Sequence, residues 1–236
     1  MKFPISQINS LLKALNQKFG LYSVWGQFGV GKTIFSLQTA ILYAKNHNKV
    51  LFIYTKPLFP TQQLVSILEP FPEPTKTEIL NNLTFIQITE FDEFYTLLFN
   101  LEFLLLTQRR ENQPLTKLLI IDNIINLYQL ELNPQDKERN VELNYSLNQM
   151  LGLLSYLNQE YKLDIFLVNR TSYSDQENIT LEIPAGGNVI EYWIPYSLKI
   201  QRTKKINERK FIFKTSSDSK KPLSFVLKLA ERGFVE

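Results

Sequence analysis

An eight-residue stretch near the N-terminus places the strongest constraint on how this chain folds. In order, it consists of Gly26, Gln27, Phe28, Gly29, Val30, Gly31, Lys32 and Thr33. The spacing matches Gly-x-x-x-x-Gly-Lys-Thr, a loop whose glycines let the backbone turn tightly and direct several N–H groups at phosphate oxygens. An apolar run at 21–25 precedes the stretch, and a helical pattern at 33–45 follows it. The sequence therefore predicts a strand, a phosphate-binding loop and a helix whose positive dipole end faces the anion.

Two side chains of this loop and one distant carboxylate form a candidate nucleotide site. We expect Lys32 to reach the β- and γ-phosphates and the Thr33 hydroxyl to bind Mg²⁺. Asp122 ends the apolar run 118–121. A carboxylate at the end of a strand beside such a loop is the expected partner of Mg²⁺, and a turn or helix-cap aspartate is the alternative. The sequence thus predicts ATP and Mg²⁺ as ligands.

The hydrophobic pattern predicts an α/β fold in which a mostly parallel central sheet is flanked by helices. Apolar runs typical of strands covered on both faces occur at 21–25, 50–54, 84–88, 118–121 and 165–168. Helical periodicity is clearest at 91–109 and 141–161. Beyond Pro195 the residues alternate around polar turns, which predicts a C-terminal antiparallel extension. Five prolines between 57 and 74 predict loops around one short helix.

Composition excludes several kinds of site. The chain has 236 residues and no cysteine, which excludes disulfides, cysteine-ligated zinc, iron–sulfur clusters and a cysteine nucleophile. Its single histidine, His47, lies in a polar stretch typical of a turn. No run is apolar enough to cross a bilayer, and the N-terminus lacks a signal-peptide pattern. We therefore expect a cytoplasmic protein that does not bind membranes.

Positive charge is concentrated towards the C-terminus. The net charge is +3, but the segment 199–221 contains nine Lys or Arg and two acids. This distribution fits a nucleic-acid contact and equally fits a solvated β-hairpin. The candidate DNA contacts are Lys199, Arg202, Lys204, Lys205, Arg209 and Lys210.

Short motifs, the first of which contains the phosphate-binding loop, succeed one another along the chain in a fixed order. They lie at 24–33, 37–40, 119–128, 138–143, 166–169, 173–175, 184–187, 191–193 and 230–234. In this order they resemble RadB, an archaeal recombinase paralogue within the RecA/RadA superfamily. The resemblance covers nearly the whole chain and is most specific at Pro-x-Gly-Gly followed by Glu-x-Trp.

The resemblance implies a RecA-like P-loop core that occupies 1–236 as one domain. Only about twenty residues precede the first predicted strand, so we expect no N-terminal helix-hairpin-helix domain of the kind that full recombinases carry. The resemblance also implies a role in recombination or DNA repair, weak ATP hydrolysis at most, and a recombinase or another protein as partner.

Lys56 stands where this family carries its catalytic base. The family pattern beyond the second strand resembles Tyr-Ile-Asp-Thr-Glu-Gly, in which the glutamate is the base. This chain has Phe52-Ile53-Tyr54-Thr55-Lys56-Pro57 instead. A lysine ammonium has no lone pair with which to accept a proton near neutral pH. We therefore assign no catalytic residue and expect ATP to be held with little or no hydrolysis.

Arg170 is a second departure from the family pattern. The family has Asn-Gln here, and its Gln senses the γ-phosphate, whereas this chain has Asn169-Arg170. Arg170 fits a direct γ-phosphate contact and equally an ion pair with an acid such as Asp122. In a rival view of hydrolysis, Arg170 takes up transition-state charge and a carboxylate such as Glu90 or Asp92 positions the water.

The loops that correspond to DNA contacts in the family are poor in cations. Gln129 replaces a usual arginine, and the loop segment 171–183 contains three acids without a lysine or arginine. Phosphate contacts supply most non-specific DNA affinity, so these loops do not predict a strong single-strand groove. Three functions remain open: a RadB-like accessory protein, an active recombinase or circadian-clock-type ATPase, and a structural pseudo-ATPase subunit of another assembly.

Overall fold

The computed structural model describes residues 2–176, 179–215 and 222–236. The helices are α1 (Ser6–Ala14), α2 (Lys32–Lys45), α3 (Thr61–Leu68), α4 (Glu73–Asn81), α5 (Phe91–Arg110), α6 (Asn126–Glu131), α7 (Lys137–Tyr161) and α8 (Gly187–Trp193). The strands are β1 (Leu21–Trp25), β2 (Lys49–Tyr54), β3 (Leu83–Gln87), β4 (Thr116–Asp122), β5 (Asp164–Val168), β6 (Thr171–Gln176), β7 (Ile179–Pro184), β8 (Tyr196–Arg202), β9 (Glu208–Thr215), β10 (Leu223–Ala230) and β11 (Gly233–Val235).

A nine-stranded sheet has the order β11-β10-β9-β8-β1-β5-β4-β2-β3. The strands from β8 to β3 in this order are mutually parallel. The pairs β8–β9, β9–β10 and β10–β11 are antiparallel. The predicted α/β fold with a mostly parallel sheet and a C-terminal antiparallel extension is therefore confirmed.

Alternate residues of the central strands face two hydrophobic cores. In β4, Leu118 and Ile120 pack with α1 to α4, whereas Leu119 and Ile121 pack with α5 to α8. Successive side chains of a strand point to opposite faces, so a strand covered on both sides must be apolar throughout. This requirement explains the continuous apolar runs.

Helix α2, which carries the end of the phosphate-binding loop, is anchored by aromatic rings. Phe35 is fully buried and contacts four aromatic rings at centroid distances of 5.5 to 6.0 Å. These rings belong to Phe3, Phe166, Phe211 and Phe234. The N-terminal segment, the parallel sheet and the antiparallel extension thus meet on one helix.

Two segments differ from the expectation. The proline-rich stretch 57–74 contributes α3 and the start of α4 rather than one short helix, because Pro60 and Pro72 each cap an N-terminus and Pro74 lies in a first turn, where it needs no N–H partner. Within the segment 171–183, expected as a loop, the described residues 171–176 and 179–183 contribute to the antiparallel pair β6–β7. In the part of the chain that the structure describes, no helix is long and apolar enough to cross a membrane.

We expect Phe35→Ala to lower the free energy of unfolding by about 3–5 kcal/mol, because it removes a buried ring and leaves a cavity among its four neighbours. Phe103→Ala is the matched control, since Phe103 is 67% exposed, and its effect should stay within about 0.5 kcal/mol. Urea unfolding followed by circular dichroism measures both. Equal losses in the two variants would contradict this account of α2.

Candidate functional site

The phosphate-binding loop joins β1 to α2 as the sequence predicts. Gly31 lies in the left-handed region at φ 99° directly before the helix. A Cβ built on Gly31 would lie 2.7 Å from the Phe234 ring, and one on Gly26 would lie 2.2 Å from the Ile200 carbonyl oxygen. These two positions exclude side chains both by backbone conformation and by space. Strand β8 and the C-terminal strand therefore help to hold the shape of the loop.

The Lys32 side chain turns back on the loop. Its Nζ donates to the carbonyl oxygens of Gly26 and Gln27 at 2.8 and 2.7 Å. Burial, together with the nearby positive charge of Lys56, lowers the pKa of Lys32 to about 8, although Asp122 acts in the opposite direction. The Lys32 ammonium group therefore lies inside the loop, where a bound phosphate would also lie.

Lys56, Thr33 and Asp122 form a compact cluster beside the loop. Lys56 Nζ lies 2.5 Å from Asp122 Oδ1 and 3.2 Å from Thr33 Oγ1. The Thr33 hydroxyl donates to Asp122 Oδ2 at 2.6 Å. The Asp122 side chain is fully buried, while that of Lys56 is 31% exposed. The chain therefore neutralises its buried carboxylate with its own ammonium group.

The backbone that carries Lys56 is fixed on both sides. The Thr55 hydroxyl donates to the Asn123 carbonyl oxygen and accepts from the Asn123 N–H, at 2.8 and 2.9 Å. Asn126 donates to the Thr55 carbonyl oxygen, and Gln87 Nε2 donates to the carbonyl oxygens of Lys56 and Pro57. These bonds tie the exit of β2 to the ends of both neighbouring strands, so the position of Lys56 is determined by the sheet.

A cavity of about 980 Å³ opens over this cluster. Its cationic lining residues are Lys32, Lys56, Arg170 and Arg202. Within the described residues, no carboxylate is among the lining side chains, and Glu90 and Asp92 do not reach it. A concave site of this size with this charge suits an anionic ligand.

Arg170 points to one of its two expected roles. Asp122 pairs with Lys56, so the alternative ion pair between Arg170 and Asp122 does not form. The Arg170 side chain lines the cavity and has no ion-pair partner within 2–176, 179–215 and 222–236. Its backbone N–H donates to Asn169 Oδ1, and its carbonyl oxygen accepts from Ala185. The guanidinium is therefore placed to meet a ligand in the cavity.

Glu182 connects strand β7 to the phosphate-binding loop, a contact that sequence reasoning missed. Its carboxylate accepts from Gln27 Nε2 at 2.8 Å and pairs with Lys199 Nζ at 2.8 Å. The hydrogen bond from Lys199 holds the pKa of Glu182 below its usual value. In the sequence, Glu182 is recognisable only as one acid of a cation-poor segment, because nothing in the local pattern identifies its partners.

The basic segment separates into residues used by the fold and residues exposed to solvent. Lys199 pairs with Glu182 and lies over the Trp25 ring, and Arg209 is buried and donates to the carbonyl oxygens of Ile206 and Glu208. The candidates that remain exposed are Arg202, Lys204, Lys205 and Lys210. Residues 216–221 of the basic segment, and Glu177 of the cation-poor segment, lie outside the described residues.

The donor set expected for Mg²⁺ is present, but a metal ion does not fit the site as folded. Thr33 Oγ1 and Asp122, the groups expected to hold the ion, are hydrogen-bonded to each other and to Lys56 Nζ. A cation from the chain therefore occupies the contacts that a metal would make. Among the described residues, no cluster of three or more His, Cys, Asp or Glu forms another metal site.

Comparison with known proteins gives sequence matches along almost the whole chain. The family model for Rad51 matches residues 4–231. The chain is 25% identical over 232 residues to the DNA repair and recombination protein RadB of Methanobrevibacter smithii, covering 98% of this chain and 93% of that protein. It is 26% identical over 226 residues to RadB of Methanococcus maripaludis, covering 96% and 95%. It is 23% identical over 206 residues to the meiotic recombination protein DMC1 homolog of Lilium longiflorum, covering 84% of this chain and 56% of that longer protein.

We expect Lys56→Gln to lower the free energy of unfolding by about 1–3 kcal/mol in buffer with EDTA, because the buried Asp122 carboxyl group would lose its cationic partner. The double variant Lys56→Gln/Asp122→Asn should recover most of this loss, since no uncompensated charge remains. Urea unfolding of the wild type, both single variants and the double variant gives the coupling energy. Losses that simply add would show that the two groups do not interact.

Proposed function

The chain belongs to the Rad51 family, and we propose that it acts in recombination and DNA repair as an ATP-binding accessory protein that assists a recombinase and hydrolyses ATP weakly or not at all. Membership of this family generally implies nucleotide binding with Mg²⁺. The names of the relatives, which match along most of this chain, support the recombination and repair role.

The observation that carries the proposal is the pairing of Lys56 with Asp122 beside an intact phosphate-binding loop. The loop, Lys32 and the cationic cavity support binding of ATP. Attack of water on the γ-phosphate also needs a group that positions the water and accepts its proton. Lys56 occupies that position in the family pattern, and no carboxylate among the described residues lines the cavity in its place. Binding is therefore supported, and turnover is not.

ATP should raise the melting temperature of the wild type by mass action, and Lys32→Ala should abolish that shift. Lys45→Ala, at the exposed far end of the same helix, is the matched control and should keep it. In a phosphate-release assay, the wild type should stay near the Lys32→Ala background, whereas Lys56→Glu, alone or with Arg170→Gln, should gain turnover. Wild-type hydrolysis at rates usual for active recombinases, removed by Lys32→Ala, would overturn the proposal.

We also propose that DNA contacts the exposed basic surface around the β8–β9 turn, made of Arg202, Lys204, Lys205 and Lys210. Arg202 Nη2 donates to the Phe28 carbonyl oxygen at 3.1 Å, so this surface begins at the rim of the nucleotide cavity. Lys214 lies on the same face of β9 as Lys210 and is also exposed. Because Lys210 and Lys214 are separated along the strand, they suit the repeating phosphates of a nucleic-acid backbone better than a single small anion.

Affinity for DNA should fall steeply with salt concentration, and the triple variant Lys204→Glu/Lys205→Glu/Lys210→Glu should weaken binding for all sequences alike. The slope of log affinity against log salt should fall by about 1 for each lysine that contacts a phosphate. The control is Lys13→Glu/Lys137→Glu/Lys162→Glu, which changes the net charge equally at exposed positions elsewhere. Equal weakening in both triple variants would assign the effect to net charge and not to this surface.

A further inference from the structure

We infer that the ammonium group of Lys56 replaces the magnesium ion of the nucleotide site, so that this protein binds nucleoside triphosphates without a divalent cation. The inference rests on the proposed nucleotide binding and extends it to the ionic form of the ligand. In this inference Lys56 binds the ligand, in addition to replacing the glutamate that is the catalytic base in the family pattern.

The contacts of Lys56 are those that the sequence pattern assigns to the metal. Its Nζ lies within hydrogen-bond distance of Asp122 Oδ1 and Thr33 Oγ1, at 2.5 and 3.2 Å. These two oxygen-bearing groups come from β4 and from the start of α2, and they meet only at this point of the fold. One positive charge therefore already bridges them.

An ammonium group retains one further N–H after making these two contacts, because it has three donors. Lys56 lines the cavity and its side chain is 31% exposed, so this donor can serve a phosphate oxygen of a bound nucleotide. The remaining part of a metal's role, a positive charge between protein oxygens and phosphate oxygens, is thus supplied by the chain.

Hydrogen bonds to the ends of the neighbouring strands hold the backbone of Lys56 in place. Thr55 on one side is bonded to Asn123 and Asn126, and Gln87 binds the carbonyl oxygens of Lys56 and Pro57. A divalent ion would have to displace the ammonium from a fully buried carboxylate and then remain close to that like charge. The fold therefore favours the ammonium over the ion.

The charge of the cavity matches a ligand without its metal. The cationic lining residues are Lys32, Lys56, Arg170 and Arg202, and no carboxylate lines the cavity within the described residues. A metal-free triphosphate carries more negative charge than its metal complex, so it gains more from these four cations. The ligand class that follows is the free nucleoside triphosphate.

The test is the dissociation constant of ATP, measured by calorimetry with EDTA and again with excess Mg²⁺. For the wild type, the affinity in EDTA should be higher than that in Mg²⁺ or equal to it to within about threefold. In Lys56→Gln, the affinity for ATP in EDTA should fall about tenfold or more, because a charge-assisted hydrogen bond to the phosphate is lost. Mg²⁺ should restore the affinity of this variant, because the ion no longer has to displace an ammonium group. Lys76→Gln, whose side chain is 26% exposed and also ion-paired, is the matched control and should behave like the wild type.

The outcomes separate this inference from the proposed function. Wild-type binding that needs Mg²⁺ overturns the inference and leaves ATP binding standing. No ATP binding in either buffer overturns both. Since the wild type alone decides between these results, the inference stays testable if Lys56→Gln does not fold, and Lys56→Arg then provides a variant that keeps the charge and should keep binding in EDTA.

Discussion

The site depends on the pairing of one fully buried carboxylate at the end of the fourth strand. Asp122 has no exposed side-chain surface, and an isolated charge in such a place is costly unless it is paired and hydrogen-bonded. The chain meets this requirement with Lys56 and the Thr33 hydroxyl. Every other feature of the site is arranged around this neutralised group: the loop approaches it from β1, Lys56 reaches it from β2, and the cavity opens above it.

The parallel sheet explains why residues so distant in sequence meet. Parallel strands end at the same edge, and the register pairs Tyr54 with Asp122 and Asp122 with Val168. The residues that follow these strand ends, Lys56 and Arg170, must therefore lie near each other and near the loop after β1. Ligands of open α/β sheets bind at this carboxyl edge for the same reason.

The sequence was a good guide wherever a single local pattern decides the structure. The apolar runs at 118–121 and 165–168 predicted strands covered on both faces, and the glycine spacing of 26–33 predicted the tight connection between a strand and a helix, as the structure shows. It could not reveal pairings between distant polar groups. The partner of Asp122 was open between a metal and Arg170, because both are cations of suitable charge. The choice of Lys56 depends on how Asn123, Asn126 and Gln87 hold the exit of β2, which no local pattern encodes.

The contact that we propose to hold a nucleotide without a metal would also limit the chemistry of that nucleotide. If the positive charge of Lys56 stabilises the bound triphosphate equally in the ground and transition states, it does not increase turnover. In a protein that holds ATP without consuming it, the nucleotide leaves only by dissociation. Any effect of a partner on the bound nucleotide must then act through affinity, and linkage makes such an effect reciprocal.

Arg202 is the residue that joins the nucleotide cavity to the exposed basic surface. It lines the cavity, donates to the loop at Phe28 and lies at the start of the exposed basic turn, so it can couple binding at the two surfaces. The proposed accessory role therefore requires only a difference in binding free energy between two adjacent surfaces, and it does not require a cycle of hydrolysis.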